Sequence, residues 1–186
     1  MQEASNEIYQ EIYFDNGAVY IGETKEGEMV RHGFGTQTWP DGTRYEGNWV
    51  DDKAEGEGKI WHNSGDFYKG EWRDDMAWGK GVYKSKDGTT YEGDWIEDKQ
   101  EGFGVETWVN GTKYEGKFVD GKKQGKGKIS FPDGSYYDGE FEDNNIDGQS
   151  KTVICGFLDH FSPPFALLSS CFSFFSYEDF RFFNFF

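Results

Sequence analysis

Cysteine is almost missing from this chain. Cys155 and Cys171 are the two in 186 residues, and no CxxC or His-rich spacing surrounds them. That excludes a disulfide framework and a thiolate metal site, and it fits a reduced intracellular setting. Positive charge is scarce too: Lys and Arg total 19 against 35 Asp and Glu, for a net charge of −16. A field of that sign repels phosphate backbones, so no nucleic-acid partner is expected. The opening "MQEASNEIYQEIYF" has no basic stretch followed by an apolar one, so we expect a non-secreted, cytoplasmic chain. Asn110-Gly111-Thr112 is then a turn rather than a glycosylation acceptor. Aliphatic residues are sparse while aromatics reach 19%, so apolar area must come mainly from rings.

What the chain does have is glycine, 26 residues of it, in a repeating order. Tyr45, Tyr68, Tyr91, Tyr114 and Tyr137 recur every 23 residues, with Tyr20 ahead of them. Each opens a Tyr-x-Gly-x-aromatic motif: "YEGNW", "YKGEW", "YEGDW", "YEGKF", "YDGEF". The first copy, "YIGET", lacks the aromatic. A Gly-x-Gly pair follows each of the inner copies: Gly56/Gly58, Gly79/Gly81, Gly102/Gly104 and Gly125/Gly127. Irregular outer copies around regular inner ones are the mark of a capped repeat array.

Within a copy the alternation has period two, which predicts strands. Tyr45, Gly47 and Trp49 share one face. A two- or four-residue loop at "DDKA" sets Tyr45 opposite Ile60, Gly47 opposite Gly58 and Trp49 opposite Gly56. The connections "WPDGT", "HNSGD", "SKDGT", "WVNGT" and "FPDGS" suit a type I turn closed by a left-handed glycine bulge. That loop keeps register, with Gly58 opposite Gly70 and Gly56 opposite Trp72. One glycine column then crosses the sheet from Gly22 to Gly139. A second set, with Gly56 and Gly79, is expected beneath Trp49, Trp72 and Trp95, whose rings would recover the packing that glycine forfeits. The expected fold is all-β: an elongated single-layer antiparallel sheet of six consecutive hairpins, twelve strands and roughly 55 Å long at the usual strand spacing. Residues 1–12 lead in, 13–150 form the repeat domain, and 151–186 are a Phe-rich tail.

These residues resemble the MORN repeats (membrane occupation and recognition nexus), over six copies from about Tyr13 to Gly148. The resemblance implies an elongated antiparallel sheet with an aromatic groove, serving as a scaffold or targeting module. Relatives of that kind occur in ciliary radial spokes, membrane-junction proteins, some plant lipid kinases and a histone methyltransferase. Thr24 and Ser150 depart from the pattern at the two ends.

Catalytic chemistry finds no foothold. No copy reads GxGxxG or GxxxxGK[ST], and none opens a helix. Paired carboxylates recur at equivalent surface positions, whereas a catalytic pair should be singular and desolvated. No stretch matches a calcium loop, His32, His62 and His160 are scattered, and no Gly-x-Ser-x-Gly occurs. We expect no cofactor, no metal and no enzymatic activity.

Three departures from the repeat stand out. Met76 and Trp78 replace polar residues at one hairpin tip, with Trp78 facing away from the rings; they are either an apolar contact with a neighbouring loop or a secondary hot spot for a partner. Lys122, Lys123, Lys126 and Lys128 form the one basic cluster, which is either solvated loop charge or a site for an acidic peptide or phosphoinositide head group. The third is the tail, where 11 of the last 36 residues are phenylalanine. Its apolar runs are broken by Asp159, Pro163, Pro164 and Glu178, so it falls short of a spanning helix. Phe165, Leu168, Phe172 and Phe175 would line a short helix over the last strand. A retained intron or altered frame explains the tail as well, and we favour that reading.

The leading expectation is a non-catalytic scaffold that binds a partner protein's helix or extended segment, with a cytoskeletal or ciliary setting implied by the resemblance alone. Its groove would be lined by Tyr45, Trp49, Tyr68, Trp72, Tyr91, Trp95, Tyr114, Phe118, Tyr137 and Phe141. Two alternatives stay open: membrane recruitment through the lysine cluster, and a fragment of a larger enzyme such as a lipid kinase.

Overall fold

A computed structural model describes residues 8–147 and 152–154, and among them every element is a strand. The proposed helix at Phe165–Phe175 lies outside the described residues. In chain order the strands are β1 Ile8–Tyr13, β2 Val19–Thr24, β3 Arg31–Thr38, β4 Arg44–Val50, β5 Lys53–Trp61, β6 Phe67–Arg73 and β7 Met76–Lys84. They continue as β8 Thr90–Ile96, β9 Lys99–Thr107, β10 Lys113–Val119, β11 Lys122–Ser130, β12 Tyr136–Glu142, β13 Asn145–Ile146 and β14 Thr152–Ile154. The sheet is single, open and antiparallel, with β1 to β13 in sequence order and β14 paired to β12. Two more strands are present than the expected twelve, because β1 precedes the first hairpin and Thr152–Ile154 of the tail returns to β12.

The long connections follow the sequence rule. In the "WPDGT" turn the Gly42 N–H donates to the Trp39 carbonyl and the Trp39 N–H to the Thr43 carbonyl. Gly42 takes the left-handed conformation that closes the bulge, at φ 91°. This three-residue geometry preserves register, so Gly58 faces Gly70 and Gly56 faces Trp72 as expected.

The hairpin tips depart from expectation. Asp51 and Asp52 both have positive φ, 52° and 68°, which makes a two-residue type I′ turn. Val50 then pairs with Lys53 and Trp49 with Ala54, and the ladder resumes at Gly47 and Gly58. Trp49 therefore lies opposite Ala54 within its hairpin, not Gly56. Two extra residues of β5 sit in a bulge, and Gly56 occupies it at φ 71°. Each of the five longer hairpins has a register shift at this point, and such bulges strengthen local bend and twist.

The two glycine sets therefore exist for different reasons. Gly56 and its equivalents supply left-handed backbone to the bulge; a Cβ on Gly56 would point to Asn48, not to an indole. The crosswise column is bare because tyrosine lies on it: a Cβ on Gly58 would fall 2.3 Å from Tyr45 Oη. The ring that covers glycine is Tyr, not Trp as expected. The Tyr45 hydroxyl then donates to the Asn48 carbonyl at 3.1 Å, where the bulge interrupts the ladder. Tyr20, Tyr68, Tyr91, Tyr114 and Tyr137 make the same bond in their own copies.

Neighbouring tips are also bolted together. The Asp75 N–H donates to the Ala54 carbonyl at 3.2 Å, and the Asp75 carboxylate accepts the Ala54 N–H at 2.8 Å. Asp52 with Arg31, Asp98 with Ala77, and Asn144 with Lys123 repeat the reciprocal pair. Gly121 keeps only the backbone half, to Gln100. Exposed Lys–Asp bridges run beside these bolts, Lys53 to Asp74 at 2.6 Å and Lys122 to Asp143 at 3.0 Å. Met76 stands where Lys53, Lys99 and Lys122 stand in other copies.

Candidate functional site

All ten rings named from the sequence lie on one face of the sheet, and their exposure is 0–7%. They cover one another in an unbroken edge-to-face chain. Tyr45 meets Trp49 at 4.9 Å and Trp72 at 5.1 Å, and Tyr68 meets Trp72 at 5.2 Å and Trp95 at 5.1 Å. Tyr91, Phe118, Tyr114, Phe141 and Tyr137 continue it to the far end. Each such pair adds roughly 0.5–1.5 kcal/mol beyond area burial. A single-layer sheet thus gains a core without a second layer. The rings are the floor of this face, and what stands above the floor decides what the face can hold.

Two further inward columns set that relief. One runs Arg31, Ala54, Ala77, Gln100, Lys123, Ile146, and the other Gln37, Ile60, Tyr83, Glu106, Ile129. Lys123 is 4% exposed and points inward, away from Lys122, Lys126 and Lys128. Its Nζ pairs with Glu106 at 2.5 Å and lies 4.9, 5.3 and 5.6 Å from the ring centres of Trp108, Tyr114 and Phe118. The four lysines therefore do not converge. Lys122 bridges to Asp143, Lys126 stands in register with Glu140, and Lys128 stands between Glu115 and Asp138 with its Nζ 4.4 Å from the Tyr136 ring. The column alignment of Lys123 with Ala54 and Ala77 was the signal in the sequence that it faces in.

A hollow of about 180 Å³ lies beside Ala54, lined by Arg31, Gln37, Trp39, Tyr45, Trp49, Ile60, Trp72 and Asp75. Small-molecule sites run about 300–1,000 Å³, so this one suits one or two amino-acid side chains. Arg31 lies 4.2 Å from the Trp49 ring centre and is held by Asp52, through Nε to Oδ1 at 3.1 Å and Nη2 to the carbonyl, and by Gln37 through Nη1. The Trp49 and Trp95 indoles donate to the Gly35 and Gly81 carbonyls at 3.2 and 3.3 Å. The Trp72 Nε1–H is buried without an acceptor.

Trp78 faces away from the rings as expected, opposite Glu71, with the Arg73 guanidinium 4.5 Å from its ring centre. Met76 and Trp78 are both partly buried. Burial pushes the ring-face phenols up, to about 12 at Tyr114 and higher at Tyr45, Tyr68 and Tyr91. They stay protonated at neutral pH and act as hydrogen-bond donors. No helix among the described residues is long and apolar enough to cross a membrane.

A family profile described as MORN repeat matches six consecutive segments, residues 30–44, 45–67, 68–90, 91–113, 114–136 and 137–149. Among solved structures, the chain is similar to the TCP domain of SAS-4 (dCPAP) from Drosophila melanogaster, determined in complex with a proline-rich motif of Ana2 (dSTIL). That likeness has 14% identity, a TM-score of 0.45, and covers 72% of this chain and 76% of that one. A TCP10 domain variant of Danio rerio CPAP matches at 14% identity and TM-score 0.34, covering 72% of each chain. No curated protein matches the chain.

Proposed function

This chain belongs to the MORN-repeat family, and from that premise we propose that it is a non-catalytic scaffold that seats a segment of a partner protein on its ring face. The observation that carries the reading is the hollow beside Ala54: a partly apolar recess, sized for side chains, on a floor of rings packed edge to face. Pre-organised surfaces of this kind lose little freedom on binding. The floor rings Tyr45, Trp49 and Trp72 border the hollow, so part of the groove expected from sequence takes part through ring edges. The repeated carboxylates at the tips are bonded to backbone N–H groups or lysines, and the phenols are held protonated, which favours a structural role for both.

Photo-cross-linking tests this. A benzophenone amino acid at Pro40, an exposed turn residue next to Trp39 of the hollow, should capture partner protein in cells, and the same group at Phe103, 62% exposed on the opposite face, should not. Protein adducts from Phe103 with none from Pro40 would place the partner on the wrong surface and defeat the reading.

A further inference from the structure

The hollow beside Ala54 and the cavity that holds Lys123 are the same place in two repeats. Moving back three copies takes Lys123 to Ala54, Trp108 to Trp39, Tyr114 to Tyr45, Phe118 to Trp49, Glu106 to Gln37 and Asn144 to Asp75. Those residues account for most of the hollow's lining. In the later copy the cavity is filled from within, by an ammonium set against three rings and a carboxylate. In the earlier copy the rings remain and the lysine is truncated to a methyl group. Part of its place is taken by Arg31, which bonds Gln37 through Nη1 and stands 4.2 Å from the Trp49 ring centre, so that the hollow lies beside Trp39, Tyr45 and Asp75.

Electrostatics agree between the two. Without its lysine the later cavity carries the single negative charge of Glu106. At the hollow, Arg31 is set against Asp52 and Asp75, leaving a single net negative charge as well. The Arg31 donors are engaged with Asp52 and Gln37, while Asp75 borders the hollow with one oxygen bonded to the Ala54 N–H. A cation over aromatic faces is attracted by their quadrupoles, most strongly by Trp and when desolvated, and tryptophan stands at two of the three ring positions here. The chain's net charge of −16 draws basic segments toward it.

We propose that the Ala54 hollow receives a lysine side chain from a basic segment of the partner, beside Trp39, Tyr45 and Asp75. This rests on the ring-face reading and names the chemistry of the partner.

The test uses pooled ten-residue peptides with a fixed central lysine and a matched pool with norleucine there, which keeps the length and removes the charge. Binding is read by fluorescence polarisation, with the full chain. The lysine pool should bind at least tenfold tighter than the norleucine pool. Ala54→Lys, which fills the hollow as Lys123 fills its own, should weaken the lysine pool at least tenfold. The pair Ala54→Lys with Gln37→Glu adds a carboxylate between the new ammonium and Arg31 and should do the same in a chain with an unchanged near-UV spectrum, and Trp39→Ala should also weaken binding. Equal binding of the two pools, full binding by the self-filled variants, or no binding of the lysine pool each overturns the proposal. Cross-links from Pro40 would persist in the first case, which separates failure of the cation from failure of the ring-face reading.

Discussion

Gly58→Ala should be among the costliest single-methyl additions in the chain. The new Cβ falls 2.3 Å from Tyr45 Oη, 2.6 Å from Cζ and 2.8 Å from Cε2, all well inside van der Waals contact. Tyr45 cannot swing aside, because Trp49 and Trp72 hold it edge-on at 4.9 and 5.1 Å and its hydroxyl is bonded to the Asn48 carbonyl. Overpacking of a close-fitted core costs about 1–3 kcal/mol, and loss of the hydroxyl bond adds about 1 kcal/mol. The reduced freedom of the unfolded chain returns about 0.4–1 kcal/mol. The net loss is about 2–3 kcal/mol, or roughly 6–10 °C in Tm for a domain of this size. Gly56→Ala is the control. It sits two residues away with its nearest neighbour at 3.7 Å, so it bears only the left-handed backbone cost of about 1–2 kcal/mol, partly offset in the same way. Urea unfolding followed by tryptophan fluorescence ranks the two. If Gly58→Ala costs no more than Gly56→Ala, tyrosine packing is not what keeps the column bare.

Other outcomes follow from particular contacts. Lys123→Ala leaves Glu106 buried without its partner and should cost about 3–5 kcal/mol, whereas Lys123→Met with Glu106→Leu should be near neutral; equal losses in urea melts would refute the buried pair. Burial raises the Asp98 carboxyl above its ordinary value, against the pull of the Ala77 N–H. The favourable contribution of its proton is therefore present at low pH and lost as pH rises through the raised value. Asp98→Asn, which copies Asn144, should raise Tm at neutral pH and leave it unchanged below the ordinary carboxylate range; the opposite pH dependence would show that the charged form is the stabilising one. Because Lys122, Lys126 and Lys128 face carboxylates and Lys123 faces inward, phosphoinositide liposomes should not float the chain, and salt-sensitive flotation would contradict that arrangement.

The parts of this fold that were legible in the sequence are those fixed by local chemistry. "WPDGT" names its own turn through Pro40, Asp41 and Gly42, and that turn sets the register between hairpins. Period-two alternation places Tyr45, Gly47 and Trp49 together. The bulge was not legible, because a hairpin tip at "DDKA" satisfies alternation with either loop length. Only the positive φ of both Asp51 and Asp52 decides that the extra residues enter the strand instead. The tip bolts escaped for a related reason: Asp75 reads as solvated turn charge until the backbone of the preceding copy is laid beside it. Lys123 was read within its local run of lysines, a window in which basic residues look like a patch, rather than across the repeat.

That last distinction bears on where function resides in this array. Trp72 and Trp95 are natural choices for probing a groove, yet each is 4–5% exposed and braced by tyrosines on both sides. Truncating either should cost about 3–5 kcal/mol, so lost binding would report lost structure. The residues that repeat build the sheet, and they are nearly the same in every copy. The residues that differ while still facing inward decide the relief of the floor, with a hollow beside Ala54 and a buried ion pair at Lys123. A substitution at Ala54 changes the relief and leaves the ring chain intact. It is therefore the position at which binding can be separated from folding, and retention of binding in a folded Ala54→Lys chain would show that the relief of this face is not what the partner reads.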